Sequence, residues 1–312
     1  MHGIHHVTAI AGQPARNLAF YTRCLGLRFV KRTVNFDDPG TYHFYFGDEV
    51  GHPGTILTFF PWEHAGPWRG GIGLAQTTSF RVRAGSIGYW THRLIEKGIK
   101  HEPPIRRFGE SVLAFNDPDG MNLALIGVAG AESEPAWTDS TAGIPAEHAV
   151  RGFHGVTLML ERAAPTEAVL TDVLGFKGAG REGGVHRFRA NDRLGGVVDI
   201  NEVGGFLPGR MGRGAVHHVA FRAADDAEQA AMARKLLETH RLEPTEQKDR
   251  EYFRSIYFFE PGGVLFEIAT DAPGFTVDEP KDKLGSALKL PPFLEPRRAQ
   301  IEAVLPPLEV PA

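Results

Sequence analysis

The chain has 312 residues, of which 42% are hydrophobic and 23% charged, with a formal net charge of -4 and 14 histidines. This composition excludes a disordered chain and leaves room for two ordinary domains. The slightly acidic balance argues against nucleic acid as a partner. No apolar run approaches the ~18 residues of a membrane helix, so no membrane association is expected. Cys24 is the single cysteine, so no intramolecular disulfide can form. The N-terminus shows neither the basic start nor the apolar stretch of a secretory signal, and the expected location is the cytoplasm.

Four segments share one order of strand, helix and further strands. The first opens at Ile4-His5-His6-Val7-Thr8. Leu18, Tyr21 and Leu25 then recur at helical spacing up to Gly26, a candidate C-cap. Strands are expected over Arg28–Thr33, Tyr42–Phe46 and Thr55–Phe60. The second segment opens at Thr78–Val82, with Ile87, Trp90 and Leu94 on a helix that Gly98 ends. Its strands, Ser111–Phe115 and Met121–Ile126, flank the turn Asp117-Pro118-Asp119-Gly120. Residues 131–150, rich in Pro, Ser, Thr and Glu, read as a linker.

The third segment opens at Gly152–Thr157, with a helix through Val173-Leu174-Gly175 and strands over Val185–Arg189 and Gly196–Ile200. The fourth opens at Val216-His217-His218-Val219, places Ala230, Ala233 and Leu237 on a helix face, and closes with Ser255–Phe259 and Val264–Ala269. A Pro-rich tail follows, with one helical pattern at Ala299–Val304. A doubly wound parallel sheet would show one strand after each helix and a Gly-rich phosphate loop, and neither is present. The pattern predicts an α+β fold of four βαβββ modules paired into two domains with curved mixed sheets. The expected domains are 1–130 (modules 1 and 2) and 151–272 (modules 3 and 4), joined by the linker 131–150 and followed by the tail 273–312.

The chemistry gathers at equivalent positions of the repeat. Modules 1 and 4 both begin with an apolar residue and two histidines, and module 4 ends in Val264-Leu265-Phe266-Glu267-Ile268. A carboxylate inside so apolar a strand is costly unless it is paired or binds a metal. Two histidines and one carboxylate form the facial set of non-heme Fe(II) oxygenases. Alternation puts His6 and Thr8 on one strand face and His5 on the other, and the repeat alone does not choose between them. Modules 2 and 3 lack the set. Ala124 stands where Glu267 does, Ala114 where Tyr257 does, and Gly155 at the second-histidine position. Asp199 falls near the Glu267 position without a histidine pair. One metal site per chain is expected. His43 and His154 read as structural, and Cys24 as inert core.

The stretches Arg28–Thr33, Tyr42-His43-Phe44-Tyr45-Phe46-Gly47-Asp48, Pro53-Gly54-Thr55, Asp249-Arg250-Glu251-Tyr252-Phe253 and Pro261–Glu267 resemble the hydroquinone-type ring-cleaving dioxygenases of the vicinal-oxygen-chelate superfamily, chlorohydroquinone dioxygenases among them. The resemblance runs from His5 to about Leu288. It implies that His6, His218 and Glu267 hold Fe(II), with Mn(II) as the alternative metal. It further implies catalytic roles for His5, His217, Arg250 and Tyr257, and substrate binding by Thr8. For His5 and His6 to reach one site, the strand must twist strongly or bulge.

The implied partners are a small aromatic diol and O2, and a homo-oligomer stays open. The implied reaction is ring opening, with metal and protein fixing the geometry. Alternative readings are an extradiol catechol dioxygenase, a non-oxidative lyase or isomerase of the glyoxalase type, and a non-catalytic binding module.

Overall fold

A computed structural model describes residues 3–138, 141–190 and 193–308. Parts of the expected linker (139–140), third module (191–192) and tail (309–312) therefore lie outside the described residues. Module 1 comprises β1 (Ile4–Ala11), α1 (Pro14–Ala19, continued by a π-helical turn Phe20–Cys24), β2 (Arg28–Asn35), β3 (Asp38–Gly47) and β4 (Ile56–Pro61). Module 2 comprises β5 (Leu74–Arg83), α2 (Ile87–Glu96), β6 (Ile105–Arg107), β7 (Glu110–Asn116) and β8 (Asn122–Val128). Module 3 has β9 (Gly152–Leu160), α3 (Ala164–Asp172), β10 (Lys177–Glu182), β11 (Val185–Arg189) and β12 (Val197–Glu202). Module 4 has β13 (Val216–Ala223), α4 (Asp226–His240), β14 (Lys248–Asp249), β15 (Arg254–Phe259) and β16 (Leu265–Thr270). The tail carries α5 (Arg298–Val304). This is the α+β architecture of four βαβββ modules.

In every module the first and last strands pair in parallel and the other neighbours are antiparallel. Two eight-stranded mixed sheets result, in the orders β14-β15-β16-β13-β1-β4-β3-β2 and β10-β11-β12-β9-β5-β8-β7-β6. Module 1 thus shares a sheet with module 4, and module 2 with module 3. The expectation that modules 1 and 2 form one sheet and modules 3 and 4 the other is corrected. Segments 1–130 and 151–272 each supply half of both sheets. The reason lies in the first strands: β1 and β13 join edge to edge, antiparallel. A site fed by His6 and His218 requires that adjacency.

The helices pack as amphipathic covers. α2 buries Ile87, Trp90 and Leu94, one face at helical spacing. α4 sits rotated from the expected face: Gln229, Met232 and Leu236 are buried, whereas Leu237 is 50% exposed. The cause is Gln229, whose Nε2 donates to the carbonyls of Arg254 and Ile268, both at 2.8 Å. Asp225 caps this helix by accepting from Glu228 N. The sequence pattern also passed over β6, β10 and β14, which are short or exposed and carry no apolar face.

The tail straps module 1. Lys31 on β2 has no solvent exposure and pairs with Asp278 and Glu279 of the tail. Its ammonium also lies 5.0 Å from the Tyr252 ring, and the Tyr252 hydroxyl donates to Asp278 at 3.0 Å. Lys289 N donates to Arg32 O further along, and the Tyr42 hydroxyl to Pro306 O. Replacing Lys31 by Met leaves two carboxylates without their cation, and should cost about 3 kcal/mol of unfolding free energy in urea titrations. Adding Asp278→Asn and Glu279→Gln should recover most of that loss, because no uncompensated charge remains.

Candidate metal centre and substrate cavity

Three adjacent strands bring the centre together. His6 on β1 lies opposite Ala220 on β13, and Ala220 opposite Glu267 on β16. His218 is two residues before Ala220 and shares its face. The three side chains are buried, and their ligand atoms lie within 4.8 Å of one another. His6 Nε2 is 3.2 Å and His218 Nε2 2.9 Å from Glu267 Oε2.

The carboxylate oxygens have different partners. Oε1 accepts a hydrogen bond from the Ser255 hydroxyl, whereas the buried Oε2 has no hydrogen-bond partner. Burial alone would raise the carboxyl pKa, but His6 and His218 beside it hold it well below the ordinary range. An ionised, orphaned oxygen facing two imidazole nitrogens suits a divalent cation.

Each of these histidines is held by its predecessor. His5 Nδ1 is 2.9 Å from His6 Nδ1, and His217 Nδ1 is 2.8 Å from His218 Nδ1. For the first pair, the register of β1 on β13 slips between Ile4 and His6, which is the irregularity needed to bring consecutive side chains together. Burial keeps His5 neutral, with its pKa well below the ordinary histidine value. Burial, then His218, draws His217 down to about 3.

A cavity of about 330 Å³ opens on this centre, lined in part by His6, His217, His218, Arg250 and Tyr257. Arg250 Nε donates to the Tyr257 hydroxyl at 3.2 Å, and the Tyr257 ring packs edge-on to His218 at 5.6 Å. Burial and the Glu267 charge raise the Tyr257 pKa, so its hydroxyl keeps its proton. Arg250 belongs to a strained turn. Glu251 has φ +69°, Arg250 N donates to Phe253 O at 2.9 Å, and Phe253 lies 4.8 Å from the His6 ring.

Glu267 is reached from the cavity through His6 and His218, and two further expected site residues, Thr8 and His5, are also absent from its lining. Thr8 is fully buried, and its hydroxyl accepts from Thr58 at 2.8 Å. It is therefore not part of the cavity lining. His5 sits behind His6, against Phe253 at 5.1 Å, so its expected catalytic place is corrected to the rear of the centre.

Conversely, His43 does line the cavity, with Tyr45, Phe60 and Trp62. His43 bonds Thr58 through Nε2 and Tyr45 through Nδ1, at 2.8 and 2.9 Å, leaving its ring face as the contact surface. Phe60 and Trp62 stack at 5.6 Å and 21°. The alternation Tyr42-His43-Phe44-Tyr45-Phe46 carried the missed signal. Phe44 and Phe46 face the core, so His43 and Tyr45 must face the other side of the sheet.

The second sheet repeats the frame with other chemistry. Asp199 lies opposite Thr157, two residues after Gly155, in the register that Glu267 keeps with Ala220. Its carboxylate takes both Nε and Nη2 of Arg187 at 2.8 Å, and Arg187 Nη1 reaches Glu110 at 2.6 Å. Phe108 covers the guanidinium at 4.0 Å.

Against known proteins, residues 3–125 match the family model of the Glyoxalase/Bleomycin resistance protein/Dioxygenase superfamily. The Bacillus subtilis protein MhqO, a ring-cleaving dioxygenase by name, is 44% identical over 310 residues, covering 99% of this chain and 97% of the relative. The chlorohydroquinone/hydroquinone 1,2-dioxygenase of Sphingobium indicum is 35% identical over 300 residues, covering 94% and 92%. A Bacillus subtilis chain solved by crystallography superposes with a TM-score of 0.93 at 44% identity, covering 99% of this chain and 98% of that one. The chain belongs to the ring-cleaving dioxygenases of this superfamily, and is an oxygenase by class.

The second sheet yields a test. Arg187 already neutralises Asp199, and Ala124 and Gly155 offer no ligand. Fe(II) loading followed by desalting should leave close to one iron per chain by elemental analysis. A reproducible value near two would show that the second sheet also binds metal.

Proposed function

We propose that this chain opens the ring of a hydroquinone-type aromatic diol with O2, using Fe(II) held by His6, His218 and Glu267, with Mn(II) as the alternative metal. One observation carries the reading. Two histidine Nε2 atoms meet a buried carboxylate oxygen that no hydrogen bond satisfies, at the wall of a cavity lined by aromatic rings.

When bound, the metal supplies a point where a ring oxygen and O2 are held together and exchange electrons. The protein does the rest. A histidine that ligates through Nε2 carries its proton on Nδ1, so His6 and His218 donate to His5 and His217 respectively, and each ring is fixed in orientation. His217 then has only Nε2 left for the substrate. Its ring faces the cavity and is neutral, and because Nδ1 accepts from His218 its proton sits on Nε2, so that nitrogen can donate a hydrogen bond to a ring oxygen. Tyr257 remains a hydroxyl donor beside the centre, and Arg250 places fixed positive charge against the oxygens of the bound ring. The rings of His43 and Phe60, packed on each other at 4.4 Å, and Trp62 form an apolar wall against which a planar ring can lie.

A para-diol offers the metal one oxygen, where a catechol offers two. A singly attached ring needs other groups to orient it, and Arg250, Tyr257 and His217 stand where such groups are required. The Sphingobium relative, whose name specifies hydroquinone, supports the same choice. We place the protein in the cytoplasm; no helix among the described residues is long and apolar enough to cross a membrane.

The test is anaerobic reconstitution with Fe(II), then O2 uptake with matched para- and ortho-diols and mass analysis of products. The expected kcat/KM favours hydroquinones. A clear catechol preference with extradiol product would overturn the substrate, and no uptake with any diol would overturn the activity. His6→Ala, His218→Ala and Glu267→Ala should each lose most of the bound iron and the activity, since two ligands hold a divalent ion poorly. Full iron occupancy in one variant would remove that residue from the ligand set.

A further inference from the structure

The Arg250 guanidinium is gripped at two points. Tyr257 takes Nε, and Asp37 takes Nη2 at 2.9 Å through Oδ2. Asp37 comes from module 1, 213 residues away in the chain. It stands on the turn between β2 and β3, where Asn35 pairs with Asp38. That turn is braced from within, because the Asn35 side chain accepts from Asp37 N at 3.0 Å. The Asp37 side chain is 63% exposed yet lines the same cavity as Arg250. Its carboxylate therefore stands at the mouth, between solvent and the cation within.

We propose that Asp37 is a specificity-determining residue that reserves the cavity for aromatic diols without a carboxylate substituent. The proposal rests on the cavity being the substrate site. Two effects act together. Asp37 occupies a guanidinium nitrogen that a substrate carboxylate would otherwise take, and bidentate pairing is what makes arginine select carboxylates. Its own negative charge at the cavity mouth also repels an incoming carboxylate. A neutral diol meets neither obstacle, and the Asp37–Arg250 pair stays closed over it. This pair bridges modules 1 and 4, so the hairpin tip of one module sets what the cation of the other will accept.

The experiment is a binding titration on the iron-loaded protein without O2, read by Trp62 fluorescence. Trp62 lines the cavity, and loss of the response in Trp62→Phe verifies the origin of the signal. The probes are methylhydroquinone and 2,5-dihydroxybenzoate, with wild type, Asp37→Asn and Asp37→Glu compared. Asp37→Asn should tighten the carboxylated probe at least ~tenfold while the neutral probe changes less than ~threefold, and Asp37→Glu should keep the wild-type preference. Parallel changes for both probes, an unchanged ratio, or no response to either probe in any of the three proteins would overturn the proposal. O2 uptake reads the activity separately. A shifted ratio without O2 uptake overturns the dioxygenase reading and leaves Asp37 its role, whereas turnover of hydroquinones with an unshifted ratio does the reverse.

Discussion

A carboxylate with no solvent exposure sets the terms for this molecule. Glu267 sits in the middle of β16, where an uncompensated charge would cost several kcal/mol. Ser255 satisfies one of its oxygens, and the imidazoles of His6 and His218 face the other. That arrangement exists only if β13 lies beside β16 and β1 beside β13, so the sheet order follows the needs of one oxygen atom. Ala220 completes the geometry. It lies between His6 and Glu267 across the three strands, and its small side chain leaves the middle of the face to the larger ones.

The support behind this centre is concentrated in one turn. Arg250 points into the cavity, Glu251 takes a left-handed conformation, Tyr252 joins the Lys31 cluster, and Phe253 packs on His6. A single strained residue lets Arg250, Tyr252 and Phe253 face the cavity, the tail and the His6 ring. The strain is held by local bonds: Asp249 accepts from Glu251 N at 2.8 Å, and Arg250 N is tied to Phe253 O. The C-terminal strap thereby reaches the centre through Lys31, Asp278 and Tyr252, although none of its described residues lines the cavity.

The repeat was legible because each module must bury one face of its strands and one face of its helix, and that burden writes the apolar periodicity. The histidine pairs and Glu267 were legible because polar residues in buried strands break it. What the sequence hid was partnership across the chain. Nothing in Ile4–Thr8 says that β1 joins β13, so the module pairing was misassigned, even though the expected ligand set already required it. Thr8 was placed against the substrate by the family resemblance, whereas its buried hydroxyl accepts from Thr58 and lies outside the cavity lining. His43 was taken as structural although the alternation of its strand sets it opposite the core face of Phe44 and Phe46; that this opposite face lines a cavity follows only from the folded sheet. Asp37 drew no attention at all, since an acidic residue in a hairpin turn is ordinary until an arginine from the other module is seen beside it.

The two sheets show what decides whether such a frame does chemistry. Asp199 and Glu267 occupy the same register, and both are buried carboxylates that need positive charge. In the second sheet the charge is part of the chain: Arg187 binds both oxygens of Asp199. In the first sheet the neighbours are the imidazoles of His6 and His218, whose nitrogens can bind an ion from outside, and such an ion keeps positions open for further ligands. The difference is built into the backbone as well as the side chains. A Cβ on Gly155 would lie 2.1 Å from Val197 O, so β12 runs too close to β9 for a histidine to stand there. Restoring a histidine to the second sheet would require the strands to move apart, which a single substitution cannot do.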